Sequence, residues 1–498
     1  MAGFGVRPGS LTYRGIPMNS VHATAMSRTG LSRPVRLAVE IGLIVPGETR
    51  VFDYGCGRGD DVARLCRRGV TASGWDPTSL PTEPLVEADV VNLGYVINVI
   101  ADPSERAEAL KRAWQLSRKA LVVAARLTPD MPDRLRPSGD GFVTTRGTFQ
   151  KFYTQQELRS WVDETLDVEA VAVAPGVFVV FREEADALQW FASRRRRTSR
   201  APAVGVRDDL YDSNSDLLGK LQDFFVERGR LPVTGEVNFE EDIIDHLGSF
   251  PRAWQVIRHV TDTDAWDDIV EQRRSESTVW LALARLRKRP RFGQLPQHLQ
   301  ADVRAFFGTY SKACAEGDAL LHGAGDLTAI RATATAAPVG KRTPSDLYLH
   351  VEALNTLPPL LQVYEGCARF VSGNVDGANL VKLAWDKPKV SYLAYPEFDT
   401  DPHPALAAAA VIRLDELSVE FRGYRHRTNP PILHRKETFV PNDYPGRDKF
   451  ARLTAQEQRA GLLSDPRIGT RDGWQAALVA ARKQLRGHRL IAMKEPLP

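Results

Sequence analysis

Cysteine is scarce. The 498 residues hold four, Cys56, Cys66, Cys314 and Cys367, far apart and without a C-x-x-C pair. This excludes a disulfide framework and a cysteine-rich zinc module, and it fits a reducing cytoplasm. Long apolar runs are also missing, so nothing reads as a bilayer span. Residues Met1 to Ser20 carry no apolar core of the secretory kind. Neither sign of charge dominates: the formal net charge is +4, too small to define a partner by itself. What is present is ordinary for a globular protein, 43% hydrophobic and 26% charged. The length suits about two to four domains.

The most informative stretch is Val51-Phe52-Asp53-Tyr54-Gly55-Cys56-Gly57-Arg58-Gly59-Asp60. An apolar strand enters a turn with glycine at every second position, and a polar helix start follows. Glycine tolerates backbone torsions that other residues avoid and lets a ligand approach closely. The helix that opens there offers free N–H groups to an anionic ligand end. Thr71 to Asp76 reads as a second short strand ending in an acid, the position that holds ribose hydroxyls in nucleotide-binding sheets. The rival reading is the dinucleotide signature G-x-G-x-x-G, but here the third glycine, Gly59, falls one place early. A tight strand–helix turn without a ligand is the plainest alternative.

Around this turn the pattern alternates. Leu31, Val35, Ala38, Val39 and Leu43 recur at helical spacing within 22–44, with Arg28, Ser32 and Arg33 near the start. After the helix 60–68 and the strand ending at Asp76, only a proline-rich segment, 77–87, precedes the strand 88–93. Asp102-Pro103-Ser104-Glu105 and Thr154-Gln155-Gln156-Glu157 are helix starts, each with an N-cap and a glutamate three residues on. Strands follow at 119–125, 168–174 and 177–181. The polar loop between Leu127 and Thr154 is basic and aromatic. Its Arg146, Phe149, Lys151 and Tyr153, with Phe152, suit stacking on a base with charge toward phosphate, or else a lid over a cofactor.

Further on, Arg194 to Arg197 form a basic run, and Arg285, Arg287, Lys288, Arg289 and Arg291 form another. Either is a phosphate-seeking surface or a solvated face. The pattern over 208–335 is helical. Leu221 to Glu236, with Gly229 between, has the look of a helix-turn-helix. Residues 348–370 read as helix, and 390–394 and 409–414 as strands. Asp399, Asp401, His403 and His434, near Lys436 and Glu437, could gather a divalent cation, although Asp and Pro at that density usually make turns.

The glycine turn and the acid-tipped strand resemble motifs I and II of the class I S-adenosylmethionine-dependent methyltransferases. The resemblance implies S-adenosylmethionine as cofactor, with Gly55, Gly57 and Gly59 as its floor. It also implies Asp53 toward the methionine ammonium and Asp76 on the ribose. A standard sheet of that family has one more helix and strand before residue 88. Its adenine contact is therefore unassigned here, with Asp89 as the candidate. DNA amino-methyltransferases place N/D-P-P-Y/F at the end of the next strand. Here Asn92-Leu93-Gly94-Tyr95 keeps the ends of that motif, which gives Asn92 and Tyr95 the acceptor side, while a second alignment gives that place to Asn98.

Taken whole, the chain resembles the bacterial family of DNA phosphorothioation-associated methyltransferases. The carrying stretches are 31–36, 52–61, 92–100, 148–153, 287–292, 364–369 and 429–437. The resemblance implies a cytoplasmic methyltransferase acting on nucleic acid, DNA first, in a modification or defence system, with the phosphorothioation proteins as partners and no membrane. The alternatives are a non-catalytic S-adenosylmethionine- and DNA-binding regulator, or a metal-dependent nuclease in the C-terminal half. The expected architecture is α/β. A Rossmann-like methyltransferase sheet over 20–185 is followed by a basic linker, 186–206, a helical and DNA-binding domain, 207–340, and a mixed α/β domain, 341–498.

Overall fold

The computed structural model describes residues 12–13, 16–17, 30–132, 135–145, 147–183, 185–187, 199–204 and 208–493. The fold is mixed α/β, and the chain divides into two compact units. The first takes residues up to Asp186 together with Ala368–Asp376 and Ala410–Phe421, and the second takes the rest.

The first unit is built on a six-stranded sheet. In chain order its strands are β1 (Arg50–Tyr54), β2 (Thr71–Trp75), β3 (Ala88–Gly94), β4 (Ser117–Ala124), β5 (Val171–Ala174) and β6 (Val177–Phe181). The spatial order is β5-β6-β4-β3-β1-β2. β2, β1, β3 and β4 run parallel, and β6 and β5 close the sheet antiparallel. Parallel neighbours need crossovers. Helix α2 (Asp60–Arg67) supplies the one from β1 to β2, and α3 (Pro103–Leu116) the one from β3 to β4. The buried strands are nearly all apolar, as a sheet covered on both faces requires: Val91, Leu93, Leu121, Val123, Phe178 and Val180 are fully enclosed.

Both capping boxes form helix starts. Asp102 accepts from the N–H groups of Ser104 and Glu105, and Thr154 accepts from Glu157 at the start of α4 (Gln155–Leu166). Helix α1 is shorter than its pattern, Arg33–Glu40, and residues 22–29, with Arg28, lie outside the described residues. Arg33 does not face the glycine turn. Its guanidinium donates to Asp376 (2.7 Å) and to the Pro175 carbonyl (2.6 Å).

The sheet ends at β2. Among the described residues no strand lies beyond it, and 77–87 is a turn bridged only between Asp76 and Leu80.

The second unit begins with packed helices, including Ser215–Arg228, Phe250–Val260, Thr263–Ala284 and Gln297–Phe307. Their core holds Leu218, Leu221, Ile243, Ile257 and Trp266, with Phe225 stacked on Trp254 at 3.9 Å. Gly229 does not turn one helix into the next. It ends Ser215–Arg228 in the left-handed conformation at φ 68°, and the next helix begins only at Glu240. A side chain at Gly229 would meet Arg273 Cβ at 2.7 Å, so close helix packing also calls for glycine there. The helix-turn-helix reading of 221–236 is thereby corrected.

The adjoining Arg230 is almost fully enclosed. It donates to Asp302 (2.6 Å), to both oxygens of Glu236 (2.7 Å each) and to the carbonyls of Leu231 and His298. Farther along, Lys341–Arg342, Asp346–His350, Leu380–Ala384 and Lys389–Ala394 pair antiparallel in succession. The stretch 348–370 is thus not one helix. Alternating buried leucines, Leu347 and Leu349, make the strand, and helix resumes at Pro359, where proline suits the first turn. No helix among the described residues is long and apolar enough to cross a membrane.

Candidate cofactor site at the carboxyl end of the parallel sheet

β1 ends at Tyr54, paired with Trp75 of β2. The chain then turns sharply, and the N–H groups of Gly55 and Cys56 both donate to the Trp75 carbonyl (2.8 and 3.1 Å). Gly55, Gly57 and Gly59 take φ of 80°, 56° and 78°, a region closed to most side chains. At Gly55 a Cβ would stand 2.4 Å from Val96 Cγ2. Gly59 is the N-cap of α2. Gly74 is a contact that sequence reasoning missed. Its missing Cβ leaves room for Cys56 Cβ, the Asp53 carbonyl and Val62, all near 3 Å.

Two carboxylates flank the turn. Asp76, at the tip of β2, accepts the Gly57 N–H with Oδ2 (3.1 Å) and those of Thr78 and Ser79 with Oδ1 (3.0 and 2.8 Å). It therefore links the glycine turn to the 77–87 turn. Asp53 is buried on β1 and accepts from Asn92 Nδ2 at 2.7 Å. Between the acids sits the Cys56 thiol. Burial, then Asp53, then Asp76, push it up to about 12. The turn thus carries a negative potential that favours a cation. Asp61, at the start of α2, is buried and accepts the Ser32 N–H (2.8 Å), pinning α1 beside the turn.

Asn92 lies opposite Asp53 in the register of β1 and β3. Its amide is committed to that carboxylate, and its Oδ1 is buried with no hydrogen-bond partner. Asn92 thus stands beside Asp53 at the carboxyl end of β3. Tyr95 follows β3 directly, is half-buried and takes φ 63°. An aromatic residue there is an outlier costing about 1–3 kcal/mol, of the kind that clusters at functional sites. Its backbone N–H donates to the Ala124 carbonyl (2.8 Å). Asn98 is fully buried and exchanges bonds with the Lys151 backbone, a structural tie.

Asp89, the residue expected at the adenine, is far from the glycine turn. It stands at the amino end of β3, where its Oδ2 accepts the Arg50 N–H (2.9 Å). Gly55 is about five strand residues further on, roughly 16 Å away.

The loop before α4 is also corrected. It folds into a small antiparallel sheet, Arg136–Ser138, Gly141–Val143 and Phe149–Gln150. Phe149 is buried with the Arg106 guanidinium over its ring (5.8 Å), and Tyr153 is fully enclosed in the core against Trp161. Neither ring is open to a base. Lys151 is paired with Asp140 (3.1 Å) and Glu157 (3.0 Å). Arg146 lies outside the described residues. The reason is Arg106, 2% exposed, which grips both oxygens of Asp140 (2.7 and 3.1 Å) and draws the loop down onto α3.

Tyr153→Ala is therefore expected to cost about 3–5 kcal/mol of stability in chemical denaturation, as truncation of an enclosed aromatic does. The Arg106 guanidinium, then Lys151, hold the Asp140 carboxyl down at about 2. A lowered folded value means that the pairing contributes fully above about pH 4, the unfolded range, and is lost as pH falls toward 2. Hydrogen-exchange protection of 136–150 should fall across that window, and Arg106→Gln should abolish the dependence.

In the second basic run Arg289 is partly buried against the Leu281 carbonyl (2.7 Å) and Asp318 (2.7 Å), while Arg285, Lys288 and Arg291 are exposed, and Arg194 to Arg197 lie outside the described residues. In the second unit, Asp399 accepts the Tyr444 hydroxyl (2.9 Å) and Glu437 that of Thr454 (2.9 Å). Lys436 is buried on the carbonyls of Phe398 and Asp401 (2.6 Å each). These side chains of the alternative carboxylate–lysine nuclease centre are engaged in bonds within the fold, and the His403 and His434 rings meet at 4.2 Å.

No family model and no curated protein matches the chain. Several solved structures resemble part of it. The 1,6-didemethyltoxoflavin-N1-methyltransferase of Burkholderia thailandensis, with bound S-adenosylhomocysteine, is 16% identical over 30% of this chain and 76% of its own, at a TM-score of 0.23. The sugar N-methyltransferase KedS8 from Streptoalloteichus is 14% identical over 36% of this chain and 100% of its own, at 0.27. The Pnkp1/Rnl/Hen1 RNA repair complex is 12% identical over 31% of this chain and 42% of its own, at 0.23. At those scores the likenesses carry no weight for function, which is argued from the chain itself.

Proposed function

We propose that the chain is an S-adenosylmethionine-dependent methyltransferase. The observation that carries this reading is a turn of three left-handed glycines at the carboxyl end of a parallel sheet, with Asp76 bonded to Gly57 and Asp53 buried on the strand that enters the turn. Open α/β sheets bind their ligands at that end. The residues fit the cofactor. The turn admits close approach, the two acids suit a cationic, ribose-bearing ligand, and Asn92 Oδ1 is a buried acceptor with no hydrogen-bond partner beside them.

When bound, S-adenosylmethionine supplies a methyl already activated on a positive sulfur. The protein has to hold donor and acceptor in line and exclude water. Asp53, oriented by Asn92, would take the ammonium end, and Asp76 the ribose hydroxyls. Tyr95, strained at the tip of β3, is the residue assigned to the acceptor.

The acceptor is assigned to nucleic acid, DNA first, in a phosphorothioation-associated setting. The support is the sequence resemblance and the Asn92–Tyr95 spacing. The loop rings Phe149 and Tyr153, first expected to stack on a base, lend none, because they are enclosed. Purified full-length protein with tritiated S-adenosylmethionine should label DNA from a host lacking this gene. Cofactor binding with no label in DNA, RNA or small molecules would convert the reading to a non-catalytic sensor. The missing strand beyond β2 keeps that second reading in view.

A further inference from the structure

The second unit holds a cluster that methyl transfer does not use. The His403 and His434 rings lie 4.2 Å apart, and Trp474 stands edge-on to both at 4.5 and 4.8 Å. Each imidazole has one nitrogen on a backbone carbonyl: His403 Nδ1 on Leu433 (3.1 Å) and His434 Nε2 on Ile468 (2.7 Å). A carbonyl only accepts, so those nitrogens bear the protons. In neutral rings the others, His403 Nε2 and His434 Nδ1, bear lone pairs.

Glu457 joins them from the helix Arg447–Arg459. It is 0% exposed, and its Oε1 is 2.7 Å from His403 Nε2. A lone pair facing a carboxylate at that distance repels unless something positive lies between. Glu457 Oε2, His434 Nδ1 and Trp474 Nε1 are all buried without a hydrogen-bond partner, each costly in a core. One ligand atom from each of His403, His434 and Glu457 lies within 4.8 Å of the other two.

We propose that His403, His434 and Glu457 bind a divalent cation of the zinc class. Two imidazoles and a carboxylate are a donor set that zinc takes, and each histidine's proton-bearing nitrogen is fixed by a carbonyl, as in metal-ligating histidines. The cation satisfies two of the three unpartnered atoms at once. The ligands are at least nine-tenths buried and come from three separate stretches, so the ion acts as a staple for the C-terminal part of the unit rather than as an open hydrolytic centre. This is independent of the methyltransferase reading.

The test uses the full chain, purified without chelator. Elemental analysis should find about one zinc per chain that the four cysteines do not account for. Chelation should lower Tm, and a zinc excess of about a thousandfold over Kd should restore it by about 5 °C or more. Cobalt should substitute with visible d–d absorption. His434→Gln should weaken zinc binding more than about 100-fold, beyond what losing an outer-shell partner costs. Should that variant not fold, Glu457→Gln and the wild-type chelation series decide. Metal-free protein whose Tm ignores zinc and chelator overturns the proposal and leaves a proton shared between Glu457 and His403. Full zinc retention by a folded His434→Gln overturns it as well.

Discussion

Asp76→Asn is expected to weaken S-adenosylhomocysteine binding by about 100-fold in calorimetric titration of the full chain, the loss of about two charge-assisted hydrogen bonds. The substitution removes the charge proposed to meet the ribose. It also turns an amide, in one of its two orientations, toward the Gly57 N–H, which then has no acceptor. Turn and ligand contact fail together. Asp89→Asn is the control. Its carboxylate serves the Arg50 backbone at the far end of the sheet, and affinity should stay within about twofold of wild type. Equal affinity in Asp76→Asn and wild type would remove the cofactor assignment.

Arg230→Met is expected to destabilise the helical part of the second unit by about 3–5 kcal/mol, read as a shift in the urea midpoint. The arginine side chain is 5% exposed and its partners Glu236 and Asp302 are 11% and 8% exposed. Deleting the cation takes the closest partner from two carboxylates in a site with little water, where Arg228 stands 3.7 Å from Asp302. Breaking such a network costs far more than losing an exposed pair, which is worth about 1 kcal/mol at most. A loss below about 1 kcal/mol would show that the carboxylates reach solvent once the guanidinium is gone.

What could be read from the sequence was what depends on neighbours in the chain. Asp102 and Thr154 announced their helices because a cap and its partner are three residues apart. The glycine turn was legible because left-handed torsions leave a mark on composition. The short interval between Asp76 and the strand at 88 signalled a sheet with a strand fewer. Asp89 stands second in a strand read as 88–93, so its own position already put it at the amino end, opposite the end where such sheets take ligands.

Phe149, Lys151 and Tyr153 have the composition of a nucleic-acid surface. What encloses them is Arg106, more than forty residues earlier on another helix, and no local pattern carries that. Glu457 was missed for the same reason. Two histidines suggested a cation, but the nearby aspartates drew attention because they are close in sequence. The residue that completes the triad arrives through tertiary packing alone. Gly229 was seen as a turn when it is a terminus, and both uses ask the same torsion of the backbone.

The sheet that stops at β2 has a bearing on evolution. In a longer sheet, residues flanking a nucleobase would also hold strands together, so altering one task would disturb the other. Here the stretch after Asp76 is a turn on the margin of the fold. Its side chains can be exchanged without unzipping a ladder, so under the proposed function the preference for the cofactor's base is free to drift while the scaffold stays constant.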